Sequence, residues 1–219
     1  LILNLRNESK AIKNVLNLKS AFYNYKSLVL SQINEIDLDV DLFAQLPASK
    51  SVSLSIMDSQ LKLIKNGMPI NDDASQCTSA IFSNTKSIFS RFELIEFSNT
   101  VPMNGTTLCP FMFKDLRLIS IIVSRYKSID KLEFFDFHGN DRDLRFRVQI
   151  IDISSIESLK LERKFFRNTI FKSANTIMIR KSLLVSIDSD AFDDMSVLRA
   201  IFIDDLKFEQ FYAMFKHNI

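Results

Sequence analysis

The apolar positions of this chain keep no single period, but one feature recurs. A phenylalanine follows directly on an apolar residue at Leu42-Phe43, Ile81-Phe82, Met112-Phe113, Ile170-Phe171, Ala191-Phe192 and Met214-Phe215. The successive intervals are 39, 31, 58, 21 and 23 residues, which points to a unit of a little over twenty residues with insertions. After Phe113 come Leu116, Ile119 and Ile121; after Phe171 come Ala174, Ile177 and Ile179; after Phe192 come Met195, Leu198 and Ala200. These offsets of three, six and eight change from helical spacing to strand alternation, so they predict a helical turn feeding a short strand. Phe82 and Phe43 head weaker copies. One unit alone leaves an apolar edge in water, and stacking units side by side buries those edges in one core. The expected fold is an α/β solenoid occupying residues 1–219 as a single domain: an irregular stack with a parallel β-sheet, short helical or 3-10 turns and β-hairpin insertions.

The stack is expected to carry excursions. Asn66-Gly67-Met68-Pro69 and Val101-Pro102-Met103-Asn104-Gly105 hold turn-forming residues, which predicts insert loops over 58–80 and 98–110. A third insertion spans 131–150. Leu144, Phe146, Val148 and Ile150 alternate with Arg145, Arg147 and Gln149 after the turn His138-Gly139-Asn140-Asp141, as in a hairpin with one apolar and one basic face.

These residues resemble the leucine-rich repeat. Its LxxLxL strand segment is matched by Leu116-Ile119-Ile121, Ile156-Leu159-Leu161, Tyr25-Leu28-Leu30 and, one repeat later, Leu198-Ile201-Ile203; Leu198 serves either alignment. The stretch from Ser186 to Leu198 looks like the inter-strand part of extracellular repeats of the Slit and Toll receptor type. Cys109-Pro110-Phe111-Met112-Phe113 resembles a cysteine-bearing variant of that turn. The resemblance covers residues 40 to 215 and implies a leucine-rich-repeat-like stack in a receptor ectodomain, tethered to a membrane only through regions outside this chain. One departure stands out. The family's asparagine after the strand would fall at Ile33, Ser124, Lys164 or Leu206, and none is Asn.

Composition narrows the chemistry. The chain has 219 residues, 47% hydrophobic and 25% charged, with a net charge of +2, a globular balance. Its three glycines, Gly67, Gly105 and Gly139, are too far apart for any two to share a phosphate-cradling loop. With two cysteines and two histidines, a zinc site would need every such residue to converge. The densest apolar patch, Leu116 to Val123, is interrupted by Arg117 and Ser120 and falls short of a membrane span. Leu1 begins the chain without the features of a signal peptide, so the chain is read as a mature segment or a fragment of a longer one.

The remaining candidates are modest. Cys77 and Cys109 sit 32 residues apart, before and after one expected rung, where neighbouring turns bring them within reach of a disulfide; the competing reading is two small buried thiols. N-linked glycan sequons occur at Asn7-Glu8-Ser9 and Asn104-Gly105-Thr106. Together with the even cysteine count they favour an extracellular or cell-surface location. The pieces of a two-metal site at His138 to Asp141 lack further histidine ligands, and the run Asp188, Asp190, Asp193, Asp194 places Phe192 and Asp193 where a calcium loop needs a ligand and a glycine. No catalytic residue, metal or cofactor is assigned.

Charge is uneven along the chain. Residues 160–181 carry a net +6 and 188–209 a net −5. Arg145, Arg147, Lys160, Arg163 and Lys164 form a candidate basic partner-binding face for a protein ligand or an anionic glycan; the plainer reading is opposite charges offsetting each other between rungs. Phenylalanines spaced as core, in a chain that is not basic overall, argue against nucleic acid. The expected function is non-catalytic recognition within a cell-surface receptor or adhesion ectodomain. The alternative is an intracellular repeat adaptor that selects substrates for ubiquitination.

Overall fold

The computed structural model describes residues 2–4, 27–32, 36–39, 52–65, 68–69, 92–102, 117–129, 147–163, 165–166 and 169–204. Along them run β1 (Ile2–Asn4), β2 (Ser27–Ser31), β3 (Ile36–Asp39), β4 (Val52–Met57), β5 (Gln60–Lys65), β6 (Met68–Pro69), β7 (Phe92–Ser98), β8 (Val101–Pro102), β9 (Arg117–Ser124), β10 (Arg147–Ser154), β11 (Leu159–Leu161), the short helix α1 (Thr169–Lys172), β12 (Thr176–Arg180), β13 (Leu184–Ile187) and β14 (Ala200–Asp204). Eight strands form one parallel sheet in the order β1-β2-β4-β7-β9-β10-β12-β14. Two smaller pairings flank it. β3 and β8 each run parallel to β5, with β6 antiparallel to β5, and β11 lies parallel to β13. The chain thus returns to the long sheet again and again, as a β-solenoid does. The α/β class is corrected: α1 is the one helix among the described residues, and the architecture they define is a β-solenoid rather than α/β.

The register explains why the stack holds. Leu28 lies opposite Leu54, then Ile95, Ile121, Ile151, Ile177 and Ile201, while Leu30 lies opposite Ile56, Phe97, Val123, Ile153, Ile179 and Ile203. From β2 to β12 both columns are buried. Each fully buried aliphatic side chain contributes about 1.5–3 kcal/mol relative to exposure. Reading down the first column, the coils are 26, 41, 26, 30, 26 and 24 residues long.

Several expectations shift against this register. Phe171 is fully buried, and α1 leads through buried Ala174 into Ile177 and Ile179, as its spacing predicts. The copy after Phe113 is displaced by two residues: Ile121 matches Ile177, and Ile119 is 47% exposed. The copy after Phe192 is displaced too, since Ala200 faces Thr176. Of the LxxLxL matches, Leu28 with Leu30 and Ile201 with Ile203 lie in the long sheet, whereas Leu159 and Leu161 belong to β11 in a smaller one. Residues 58–65 form a corner and β5, within the 41-residue coil from Leu54 to Ile95, and most of the rest of the expected 58–80 insertion lies outside the described residues. Residues 98–102 likewise stay within a coil of ordinary length. Residues 147–150 open β10, where Arg147, Val148 and Ile150 pair in parallel with β9; the rest of the expected 131–150 hairpin lies outside the described residues. Phe43, Phe82, Phe113 and Phe215 lie outside the described residues.

Aromatic side chains fill the space behind β10 and β12. Phe166 packs edge-on to Phe165 and Phe171, with ring centroids 4.9 and 6.2 Å away, and stacks on Phe192 at 5.6 Å. The Phe165-Phe166 pair went unmarked by the sequence pattern.

Each coil turns through one left-handed residue. Gln32, Asp58, Asn99, Arg125, Ser155 and Lys181 have φ between 47° and 61° and each follows the last residue of a long-sheet strand. None is glycine. Their N–H groups continue the ladder: Gln32 donates to the Met57 carbonyl (3.0 Å), Asp58 to Ser98 (2.9 Å), Asn99 to Ser124 (2.9 Å), Arg125 to Ser154 (3.1 Å) and Ser155 to Arg180 (2.9 Å). A hydroxyl often follows. Ser59 Oγ donates to the Met57 carbonyl at 2.7 Å, Thr100 Oγ1 to Ile56 at 2.8 Å, and Ser182 Oγ to Arg180 at 2.9 Å. Ser182 Oγ also accepts from the Ile156 N–H at 3.1 Å. The Thr100 and Ser182 hydroxyls thereby link neighbouring coils, whereas the Ser59 bond stays within its own coil.

A non-glycine residue held left-handed costs about 1–2 kcal/mol. Ser155→Gly is therefore expected to stabilise the fold by about 1 kcal/mol after the added unfolded-state entropy is counted, and Ser155→Val to destabilise it. Urea unfolding of the two variants measures both.

Candidate functional site

The strands that bury two columns of side chains present the alternate positions to the other face of the long sheet. Its central outward row runs Val29, Ser55, Glu96, Ile122, Asp152, Met178 and Phe202. At roughly 4.8 Å per strand this row is about 29 Å long. Val29, Ile122 and Met178 are half-buried and Phe202 is 57% exposed, so apolar side chains reach solvent along much of it. The next outward row, one step closer to the corners, is mostly serine: Ser31, Ser98, Ser124 and Ser154, with Met57 among them, precede Arg180 and Asp204.

Polar groups on this face are held by neighbours on other coils. Glu96 accepts a hydrogen bond from Ser55 Oγ at 2.9 Å on one side and from Ser124 Oγ at 3.3 Å on the other. Arg125 donates from Nε to Ser98 Oγ at 2.6 Å and pairs with Asp58 at 2.8 Å, while Asn99 Nδ2 donates to the same Asp58 at 3.0 Å. Three consecutive corner residues are thereby linked. Asp152 is buried, and the Arg180 guanidinium grips it through both nitrogens, the Nε to Oδ1 contact being 3.3 Å. Tyr126 closes the adjoining corner, its hydroxyl donating to the Thr100 carbonyl at 2.7 Å and accepting from the Thr100 N–H at 3.2 Å.

The residues singled out from sequence fall differently. Arg147 is exposed at the start of β10, and Lys160 is exposed on β11 of the smaller sheet, so these two do not share a strand layer. Arg163 meets the acidic run: its Nε lies 3.2 Å from Asp190 Oδ2 and its N–H donates to Asp188 at 3.1 Å. Opposite charges on adjacent coils do offset each other at this point. The acidic run folds as successive tight turns, with N–H to carbonyl bonds from Ala191 to Asp188 and from Met195 to Phe192. Arg145, Lys164, Cys77, Cys109, Asn7, Asn104 and the turn His138 to Asp141 lie outside the described residues.

Glu96, Asp58, Asn99 and Arg125 were missed by sequence reasoning. A signal for the corners was present: the segments Leu54-Ser-Ile-Met-Asp-Ser59, Ile95-Glu-Phe-Ser-Asn-Thr100 and Ile177-Met-Ile-Arg-Lys-Ser182 share one layout, two apolar residues in alternation and a hydroxyl three residues after the second.

Among the described residues no group of three or more histidine, cysteine, aspartate or glutamate side chains gathers as a metal would require, and no helix is long and apolar enough to cross a membrane. Compared with protein-family models, curated proteins and solved structures, the chain matches none.

The Asp152–Arg180 pair gives a direct test of what orders this face. Removing one partner of a buried pair costs about 3–5 kcal/mol, and Arg180, 43% exposed, lowers that through solvent screening. Arg180→Met is expected to cost about 2 kcal/mol in urea unfolding. Adding Asp152→Asn, which removes the stranded charge, is expected to recover part of the loss.

Proposed function

We propose that this chain is a non-catalytic recognition module that binds a protein ligand on the outer face of its long sheet, as part of a cell-surface receptor or adhesion ectodomain. The observation that carries the reading is the central outward row: partly exposed apolar side chains from four coils, interleaved with Ser55 and with carboxylates oriented by hydrogen bonds. Such a face suits protein recognition, where apolar contact supplies affinity and a few placed polar groups supply register. A flat run of side chains drawn from six or more coils suits an extended partner better than a small substrate, which needs a concave pocket.

A protein ligand is favoured over an anionic glycan, because Arg163 is already engaged by Asp190 and because Arg147 and Lys160 sit on different sheets. The cell-surface assignment rests on the sequence: the likeness to extracellular leucine-rich repeats, the sequons at Asn7 and Asn104, and the Cys77 and Cys109 pair. An intracellular adaptor would leave those thiols reduced and those sequons bare. Mass measurement on protein from its native source separates the two.

The face itself is tested by capture from cell-surface extracts with the folded chain as bait. Ile122→Arg and Met178→Arg place a cation on the row without touching the buried columns, and are expected to abolish capture while leaving the thermal midpoint within a few degrees of wild type. Lys160→Ala, on the smaller sheet, is expected to leave capture intact. Retention of the partner by both arginine variants would remove this face as the site.

A further inference from the structure

On the outer face one carboxylate, Glu96, is held by hydroxyls from both neighbouring coils. Asp58 is paired with Arg125 at 2.8 Å, and Asp152 is held by Arg180. Glu96 meets only hydroxyls among the described residues, Ser55 at 2.9 Å and Ser124 at 3.3 Å. Those two serines come from the strands on either side, so the carboxylate is held by both neighbouring coils at once. Two of its roughly four lone-pair positions are occupied and the others are left to accept. The Asp152–Arg180 pair lies two strands away, about 10 Å, and its opposite charges offset each other. It does not neutralise Glu96.

Position matters as much as charge. β7, which carries Glu96, is fourth of the eight strands in the long sheet, so the carboxylate stands near the middle of the proposed binding face. Leu94 lies two residues before it on the same face, and Ile122 lies directly opposite on β9; both are half-buried. Around Glu96 the face mixes Leu94, Ile122 and Met57 with Ser53, Ser55, Ser98, Ser120 and Ser124. A preordered charge in the middle of an interface gains most where a partner's flanking side chains exclude water from the pair.

We infer that Glu96 is the anchor for a lysine or arginine side chain of the partner protein. The serines orient the carboxylate before binding, and Leu94 and Ile122 take the aliphatic stem of the incoming side chain. This deepens the proposed function and rests on it: if the sheet face binds nothing, Glu96 has no partner to anchor.

The test uses the full chain and a panel of short peptides made in matched sets, each with a central lysine or arginine and a sibling carrying glutamine there. Binding is read by fluorescence anisotropy at physiological salt. Glu96→Gln keeps the size and the hydrogen-bonding positions of the side chain, and its fold is checked by thermal unfolding. The expected result is a loss of about tenfold or more for the basic peptides on E96Q, and no further loss on E96Q for the glutamine siblings. Ser124→Ala, which keeps the charge but loosens its orientation, is expected to give a smaller loss. Equal binding of basic peptides to wild type and E96Q overturns the anchor, as does a panel in which no basic peptide outbinds its sibling. The face reading is scored separately by Ile122→Arg: abolished binding with E96Q unaffected leaves the face standing without the anchor, whereas binding that survives Ile122→Arg removes the face itself.

Discussion

In-register parallel stacking is the constraint on which the rest of this molecule depends. Two inward positions per strand must meet the same two positions of the next, about 4.8 Å away, and the backbone ladder enforces that meeting. What happens between strands is much less restricted. Closing a loop twice as long costs only about 0.6 kcal/mol more, so coils of 24 and 41 residues coexist in one sheet whose columns remain unbroken. A regular sheet with irregular connections is the natural outcome.

The corners show how the chain achieves this with so little glycine. Leaving a strand at a fixed place requires a sharp reversal, and one left-handed residue supplies it. Five of the six corners, at Gln32, Asp58, Asn99, Arg125 and Ser155, accept the associated strain because the N–H finds the carbonyl of the next coil, and at Ser59, Thr100 and Ser182 a hydroxyl covers a carbonyl left by the turn. The Asp58, Asn99 and Arg125 side chains, all leaving from corners, then bond to one another across coils. Strain in the backbone and order on the surface share one origin.

The sequence carried the solenoid more clearly than its register. Stacked units with a parallel sheet follow from the spacing after Phe171, and the structure bears that spacing out. The copies after Phe113 and Phe192 slipped because phenylalanine sits in the connecting segments, where length varies, and the conserved geometry lies in the strands. The layout shared by Leu54 to Ser59, Ile95 to Thr100 and Ile177 to Ser182 is the better ruler. The α/β class was over-read because the helical turn at Phe171 was taken as the type for the other connections. Glu96 was illegible for a different reason: Ser55 is 41 residues before it and Ser124 is 28 after it, and only the register brings the three together.

The exposed apolar residues separate two surfaces of different meaning. Ile201 stands in the same column as fully buried Ile177, yet is 41% exposed, because among the described residues β14 pairs on one side only. Exposure there, with that of Val197 nearby, follows from the end of a stack and requires no ligand. Ile122 and Met178 differ, since both lie on strands paired on both sides and still reach solvent through the outward face. No additional coil would cover them, for a further coil extends the sheet along its stacking direction and leaves its face untouched. Recognition is therefore assigned to the face, where each coil contributes one side chain to a row and a partner lying along that row samples several coils at once.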